Sequence, residues 1–258
     1  MVDWPKVRLV DLSVPIMNNA FEPQEQVIMY WDHEAYGRMA AKNMGIDPAD
    51  LPGGMGTSGE TLHVSTHAAT HLDAPYHYGP LSEGAPARRI DQVPLEWCFG
   101  DGVVLDFHEK PAGYEITARD VQDALRKIGY ALKPRDIVCI RTDADKHHRR
   151  PDFFECFAGM SREATLWLID QGIKVMATDA WGFDVPYKFM KRNHLAGRPH
   201  SLWPSHFLAR EREYIHAEKL ANLDQLPPYG FKIALFPIKV ERASGSWIRA
   251  VAFVPEAG

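Results

Sequence analysis

His67, His71, Asp73 and His77 stand within eleven residues, in the run His67-Ala-Ala-Thr-His71-Leu-Asp73-Ala-Pro75-Tyr-His77. Three imidazoles and one carboxylate are the donors that an ion of the Zn²⁺ or Mn²⁺ class prefers. The segment has no apolar period that would assign these side chains to a core. His67 and His71 are four apart, so one helical turn or a tight loop would bring them together. A fully extended chain would hold them about 13 Å apart, too far to share one ion. His71 and Asp73 are two apart, which suits an extended backbone where alternate side chains share a face. Pro75 disfavours the helical region for Ala74. The spacing therefore predicts a turn carrying His67 and His71, then an extended exit that carries Asp73 and runs through Pro75 to His77. His108, His147, His148, His194 and His200 lie in polar or turn-like contexts and read as solvated.

Strands and helices must position this run. Residues 7–16 (VRLVDLSVPI), 61–65, 102–107, 136–142 and 173–178 read as strands. Thr117 caps a helix, with Asp120 at the capping-box position, Val121, Leu125 and Ile128 on its apolar face and Gly129 at its end. Ser161 starts a second helix that stops at Gly172, and a third begins near Ser205. Residues 231–240 and 247–254 read as strands joined in a hairpin through Ala243-Ser-Gly-Ser. Strand–helix–strand units in the middle of the chain predict a mixed α/β fold. Residues 17–59 read as irregular, with a short helix near 32–42 and turn formers after it. A long segment of that kind is more often a functional lid than a structureless loop. No linker or repeat is visible, so one domain over 1–258 is expected, with 17–59 as its lid.

The 258 residues carry 29 basic and 34 acidic side chains, a net charge of −5, which is not the basic footprint of a nucleic-acid binder. The basic run from Lys146 to Arg150 reads as a solvated loop. No stretch approaches the length of a membrane span, and the N-terminus lacks the pattern of a signal peptide. Cys98, Cys139 and Cys156 are far apart and form no CxxC pair, so buried free thiols and a cytoplasmic location are expected. Gly54-Met-Gly56-Thr-Ser-Gly59 matches GxGxxG by letter, but a Pro-rich loop precedes it and a strand follows, the reverse of a nucleotide-binding context. No GxSxG elbow and no cysteine-nucleophile signature is present.

With those residues placed, the chain resembles the cyclase family of metal-dependent hydrolases, which includes bacterial kynurenine formamidase and isatin hydrolase. The family signature H-x-G-T-H-x-D-x-P-x-H stands here as residues 67–77, with Ala69 in place of the usual Gly. If that position needs φ > 0, Ala would carry strain. A distal His206, then Glu218, then Asn222-Leu-Asp-Gln-Leu-Pro227 also match the family's order, as does Gly245-Ser-Trp-Ile-Arg-Ala, with Trp247 in place of Pro. The likeness spans roughly residues 7–254 and implies a swivelling β/β/α fold and an oligomer, a homodimer or homotetramer. His216, two before Glu218, rivals His206 as distal ligand, because on a strand it would share the face of Glu218. The resemblance favours His206.

What the resemblance implies is a hydrolase that cleaves a C–N bond of a small amide, lactam or aryl formamide. One or two Zn²⁺ or Mn²⁺ ions per subunit would activate water at His67, His71, Asp73, His206 and Glu218. His77, beyond the ligands, would act as general base and then acid. Phe21, Tyr30 and Trp31 from the lid would close over a cyclic or aromatic substrate, or else pack the segment down. Two other readings compete. A two-His-one-carboxylate iron oxygenase would leave His67 and His77 unused. A non-catalytic metal binder would more often close its site with cysteine.

Overall fold

The computed structural model describes residues 6–18, 22 and 25–256. The chain divides into two compact units, one of Met1–Ile16 with Ala69–Gly258 and one of Met17–Ala68. The larger unit opens with strand β1 (Val7–Asp11). It is shorter than the sequence predicts: beyond Asp11 only an isolated bridge from Ser13 to Leu220 remains.

The smaller unit is more regular than predicted. Strands β2 (Val27–Trp31) and β3 (Gly59–His63) pair antiparallel, with Val27 opposite His63 and Trp31 opposite Gly59. The run Val27-Ile-Met-Tyr-Trp31 is apolar throughout, so it offers no period-two signal to mark it as a strand. Helix α1 (His33–Met44) starts where the Asp32 carboxylate accepts the Ala35 N–H, and it stops at Gly45, with φ 69°. The glycines near residue 56 serve close packing. A Cβ on Gly37 of α1 would fall 2.6 Å from the Gly56 nitrogen.

In the larger unit, β4 (His71–Asp73) leads into a one-turn helix, α2 (Pro75–Tyr78). Strands β5 (Phe99–Asp106), β6 (Ile137–Arg141), β7 (Val175–Thr178) and β8 (Ile215–Glu218) follow as parallel neighbours. Helices α3 (Ala118–Ile128), α4 (Arg162–Asp170), α5 (Tyr187–Leu195) and α6 (Pro204–Leu208) lie between them in the chain. The Thr117–Asp120 capping box and the left-handed Gly129 bound α3 as the sequence predicts. Helix α5 escaped the sequence reading; its N-cap is Pro186, which makes no side-chain cap. Strands β9 (Phe231–Ala234), β10 (Gly245–Trp247) and β11 (Val251–Pro255) complete a nine-stranded mixed sheet in the order β1-β11-β9-β5-β6-β7-β8-β4-β10.

The predicted terminal hairpin forms: Lys232 lies opposite Phe253, and the same antiparallel register returns as an isolated bridge from Pro237 to Ile248 nearer the Ala243-Ser-Gly-Ser turn. β9 pairs with β5 and β11, while β10 lies at the far edge against β4. Pro237 has no N–H to give a ladder, so the pairing beyond β9 is reduced to that bridge, beside which the Ile238 N–H donates to the Trp247 carbonyl at 3.1 Å.

Period-two alternation sorts the sheet's side chains into two cores. Val104, Ile137, Cys139, Val175, Ala177, Ile215, Ala217 and Leu72 enter one. Val103, Leu105, Val138, Ile140 and Met176 enter the other, with Val121, Leu125, Ala164 and Leu168 of the helices. Since Leu72, Ile215 and Ala217 face the first core, His71, Asp73, His216 and Glu218 must project on the helix-covered face.

Candidate metal centre

β4 and β8 run antiparallel at this end of the sheet, with Leu72 opposite Ala217 and His71 opposite Glu218. The same register carried one step further sets Asp73 opposite His216. Two i, i+2 pairs on neighbouring strands thus place four donor side chains in a square on one face. All four residues are buried. His71 Nε2 lies 3.3 Å from Asp73 Oδ1 and 3.6 Å from Glu218 Oε2. His206, on α6, brings its Nε2 to 3.6 Å from Glu218 Oε1 and 3.9 Å from Asp73 Oδ2. His216 Nε2 lies 3.2 Å from Glu218 Oε1 and 3.4 Å from Asp73 Oδ2. The structure therefore brings both distal histidines to the site, rather than one of the two.

Main-chain and carboxylate partners aim these rings. His71 Nδ1 donates to the Ala69 carbonyl at 2.9 Å. Ala69 itself has φ 51°, so the position where the family has glycine does require the left-handed region. His206 Nδ1 donates to Asp184 Oδ2 at 2.6 Å, and Asp184 Oδ1 accepts the Ser205 N–H at 2.7 Å. Asp184 was absent from the sequence reading; its one signal is its place just beyond the C-terminal end of β7, where open α/β sheets bind ligands. The Phe183 N–H donates to Glu218 Oε1 at 2.8 Å.

His77 differs from prediction in backbone and agrees in place. It sits on α2, not on an extended exit, and its N–H donates to the Ala74 carbonyl at 2.8 Å. Ala74 is extended, as its proline requires, but Pro75 then starts the helix at the one position where a missing N–H costs nothing. His77 Nε2 lies 3.6 Å from Asp73 Oδ2, and its side chain is 35% exposed where the other donors are buried.

The remaining candidates belong to the smaller unit. His67 is half-buried in the turn after β3, where its N–H donates to Ser65 Oγ at 3.2 Å. It lies in a turn, one of the two backbones that the sequence spacing allows. Tyr30 and Trp31 lie on β2, with Tyr30 66% exposed. Phe21 lies outside the described residues.

Burial disfavours charge at His216, yet Asp73 and Glu218 outweigh it and hold the imidazole up at about 9. Burial likewise works against the Glu218 carboxylate, and His216 beside it pulls the group down to about 2. The Cys98 and Cys139 thiols are pushed up to about 12 by burial, so neither is a nucleophile near neutral pH.

The Cyclase family model matches residues 10–185. The chain belongs to that family. The chain is 28% identical to isatin hydrolase of Roseibium aggregatum over 207 residues, 75% of this chain and 74% of that one. Kynurenine formamidase of Bordetella petrii is 27% identical over 191 residues, 74% of this chain and 78% of its own. In fold, the chain superposes on isatin hydrolase A of Ralstonia solanacearum with a TM-score of 0.77, covering 96% of this chain and 92% of that one at 23% identity. The mixed α/β architecture expected from the sequence is thus the family's own. No helix among the described residues is long and apolar enough to cross a membrane.

Proposed function

We propose that this Cyclase-family chain hydrolyses the C–N bond of a small cyclic or aromatic amide, such as an aryl formamide or an isatin-like lactam. It is a metal-dependent amide hydrolase, and the names of its relatives supply the substrate class. One observation carries the placement of the centre. Ala69 O can only accept, and Asp184 is a carboxylate, so Nδ1 of His71 and of His206 each carries the proton. In the neutral rings the Nε2 lone pairs then point at the oxygens of Asp73 and Glu218, an arrangement that is repulsive unless a positive charge lies between. Imidazole and carboxylate donors fit Zn²⁺ or Mn²⁺.

When bound, such a cation supplies Lewis-acid activation of water and of the substrate carbonyl. The chain's residues do the rest. Asp73 and Glu218 each present one oxygen to His71 and the other toward the distal histidines, so they span the centre. Ala69 O and Asp184 hold the rings in the donor tautomer, the usual outer partners of metal-ligating histidine. His77 takes the proton lost by the attacking water and returns it to the departing nitrogen, a task for an imidazole in contact with solvent. One water is consumed and the C–N bond breaks, giving an acid and an amine from a linear amide, or one ring-opened product bearing both groups from a lactam.

The test is metal analysis of the purified protein, then turnover of aryl formamides, isatin-like lactams and cyclic imides after chelation and re-addition of Zn²⁺ or Mn²⁺. Restored hydrolysis supports the reading. A fully loaded protein that turns over none of these amides overturns it. An oxygenase centred on His71 and Asp73 is disfavoured, because a three-ligand facial site leaves Glu218 and one of the distal histidines without a task. A homodimer or homotetramer accompanies this reading, and light scattering tests it.

A further inference from the structure

We propose that His216 is itself a metal ligand, and that Asp73, His206, His216 and Glu218 form a closed four-donor cation site beside the open position at His71. The inference rests on the metal-centre reading above and goes beyond it in ligand set and in role.

Three observations carry it. The first is spacing. Each of the four residues offers one donor atom, and these atoms lie within 4.8 Å of one another. A tetrahedral ion with bonds of about 2.0–2.1 Å holds its donors about 3.3 Å apart. The histidine-to-carboxylate separations here are 3.2, 3.4, 3.6 and 3.9 Å.

The second is the tautomer of His216. The Tyr214 hydroxyl donates to the Ser205 carbonyl at 2.8 Å, so its proton is committed. Toward His216 Nδ1, 3.3 Å away, that oxygen can only accept. Nδ1 therefore carries a ring proton, and Nε2, aimed at two carboxylates, is the position that a second proton or a cation would occupy. The third is that this Nε2 is fully buried and has no hydrogen-bond partner. Buried polar nitrogens are rarely left so. A cation between His216 and the carboxylates removes the repulsion and satisfies the nitrogen together.

The consequence is a division of labour. Four protein donors saturate a tetrahedral ion, as in structural zinc sites, and leave no position for water. The ion at His216 would then be a fixed charge that orients Asp73 and Glu218, while water and substrate meet the His71 side.

The experiment uses the full-length protein, stripped by chelation and titrated with Co²⁺, whose visible absorption is intense when tetrahedral and weak at higher coordination. Wild type should bind two ions per chain, one with the intense bands. His216→Phe keeps the ring that stacks on Phe183 at 4.4 Å and removes the donor. That variant should lose the intense bands and bind one ion, or bind the second more weakly than the ~10–100-fold cost of losing an outer-shell partner. Should His216→Phe not fold by circular dichroism, His216→Gln replaces it, with the same expected result. Two ions and unchanged bands in a folded variant overturn this proposal alone. A wild type that binds no cation overturns it together with the metal-centre reading.

Discussion

Two acidic clusters among the described residues lie near the C-terminal ends of the parallel strands, and one of the two has the makings of a metal centre. Asp143, Asp145 and Asp179 follow β6 and β7 and, like Asp73, His206, His216 and Glu218, bring donor atoms within 4.8 Å of one another. Their oxygens are already used. Asp179 accepts the Thr142 N–H at 2.8 Å, the Thr142 hydroxyl at 2.6 Å and the Asp143 N–H at 2.9 Å. Asp143 pairs with Arg141 at 2.7 Å, and Asp145 accepts from Lys146 at 3.2 Å and from the Asn222 N–H at 3.0 Å. Around Asp73 and Glu218 stand histidines that turn Nε2 toward them while Nδ1 meets the Ala69 carbonyl, Asp184 or the Tyr214 hydroxyl. Proximity of carboxylates is thus a poor criterion for a cation site; what the surrounding groups present to them decides.

Substitutions can break or sharpen that contrast. Asp73→Ala should have the largest effect, because Asp73 faces every histidine of the square. Metal content should fall below one ion per chain and turnover should be lost; retained metal by elemental analysis would place the centre elsewhere. His77→Ala should keep the metal and slow turnover by roughly 10²–10⁴-fold, the usual worth of general acid–base catalysis. Loss of metal in that variant would make His77 a ligand. Asp184→Asn should weaken metal affinity by about 10–100-fold while leaving stoichiometry at saturation unchanged. Chelator competition measures it, and an unchanged affinity would reduce Asp184 to a cap for α6.

Asp179→Asn should have the smallest effect on metal, namely none, and its signature should be in stability against pH. Burial raises the Asp179 carboxyl from 3.8 to about 7. A carboxyl raised in the folded state contributes stability that is full below the unfolded value and is lost as pH rises through the folded one. Denaturation between pH 4 and pH 7 should therefore show wild type losing ground to Asp179→Asn. A difference that is flat with pH would mean the three donors to Asp179 hold it ionised, against the cost of burial.

Much of the centre was legible in the chain. The eleven-residue run put His71 and Asp73 on alternate positions of a strand, and the i, i+2 spacing of His216 and Glu218 predicted a shared face. Neither spacing could say that the two strands are neighbours, because β4 and β8 are joined by a long-range antiparallel register. That is why His206 and His216 looked like rivals when the fold brings both beside Asp73 and Glu218. His77 was placed rightly and its backbone wrongly: Pro75 constrains the residue before it and starts a helix after it, and the sequence reading used the first property alone. Local capping chemistry made α3 legible to the residue, whereas α5, with proline at its N-cap, left no such mark. Ala69 shows the reverse case. Its positive φ carries strain of roughly 1–2 kcal/mol for a residue with a Cβ, and only the family comparison of that one letter pointed to it.

The short pairing of β4 with β8 has a consequence for how the sheet edge assembles. A slip of one residue would turn His71 and Asp73 into the apolar core and Leu72 onto the helix-covered face. β4 is only three residues long, so main-chain bonds alone give it little hold on its register. A cation that takes donors from both strands recognises the aligned state and no slipped one. By mass action it stabilises that state by about 4.1 kcal/mol at a concentration 1,000 times its dissociation constant. The ion would then act as a gauge for strand alignment before it takes part in any reaction, and chelation should expose the β4 amides to hydrogen exchange ahead of those in β5 and β6.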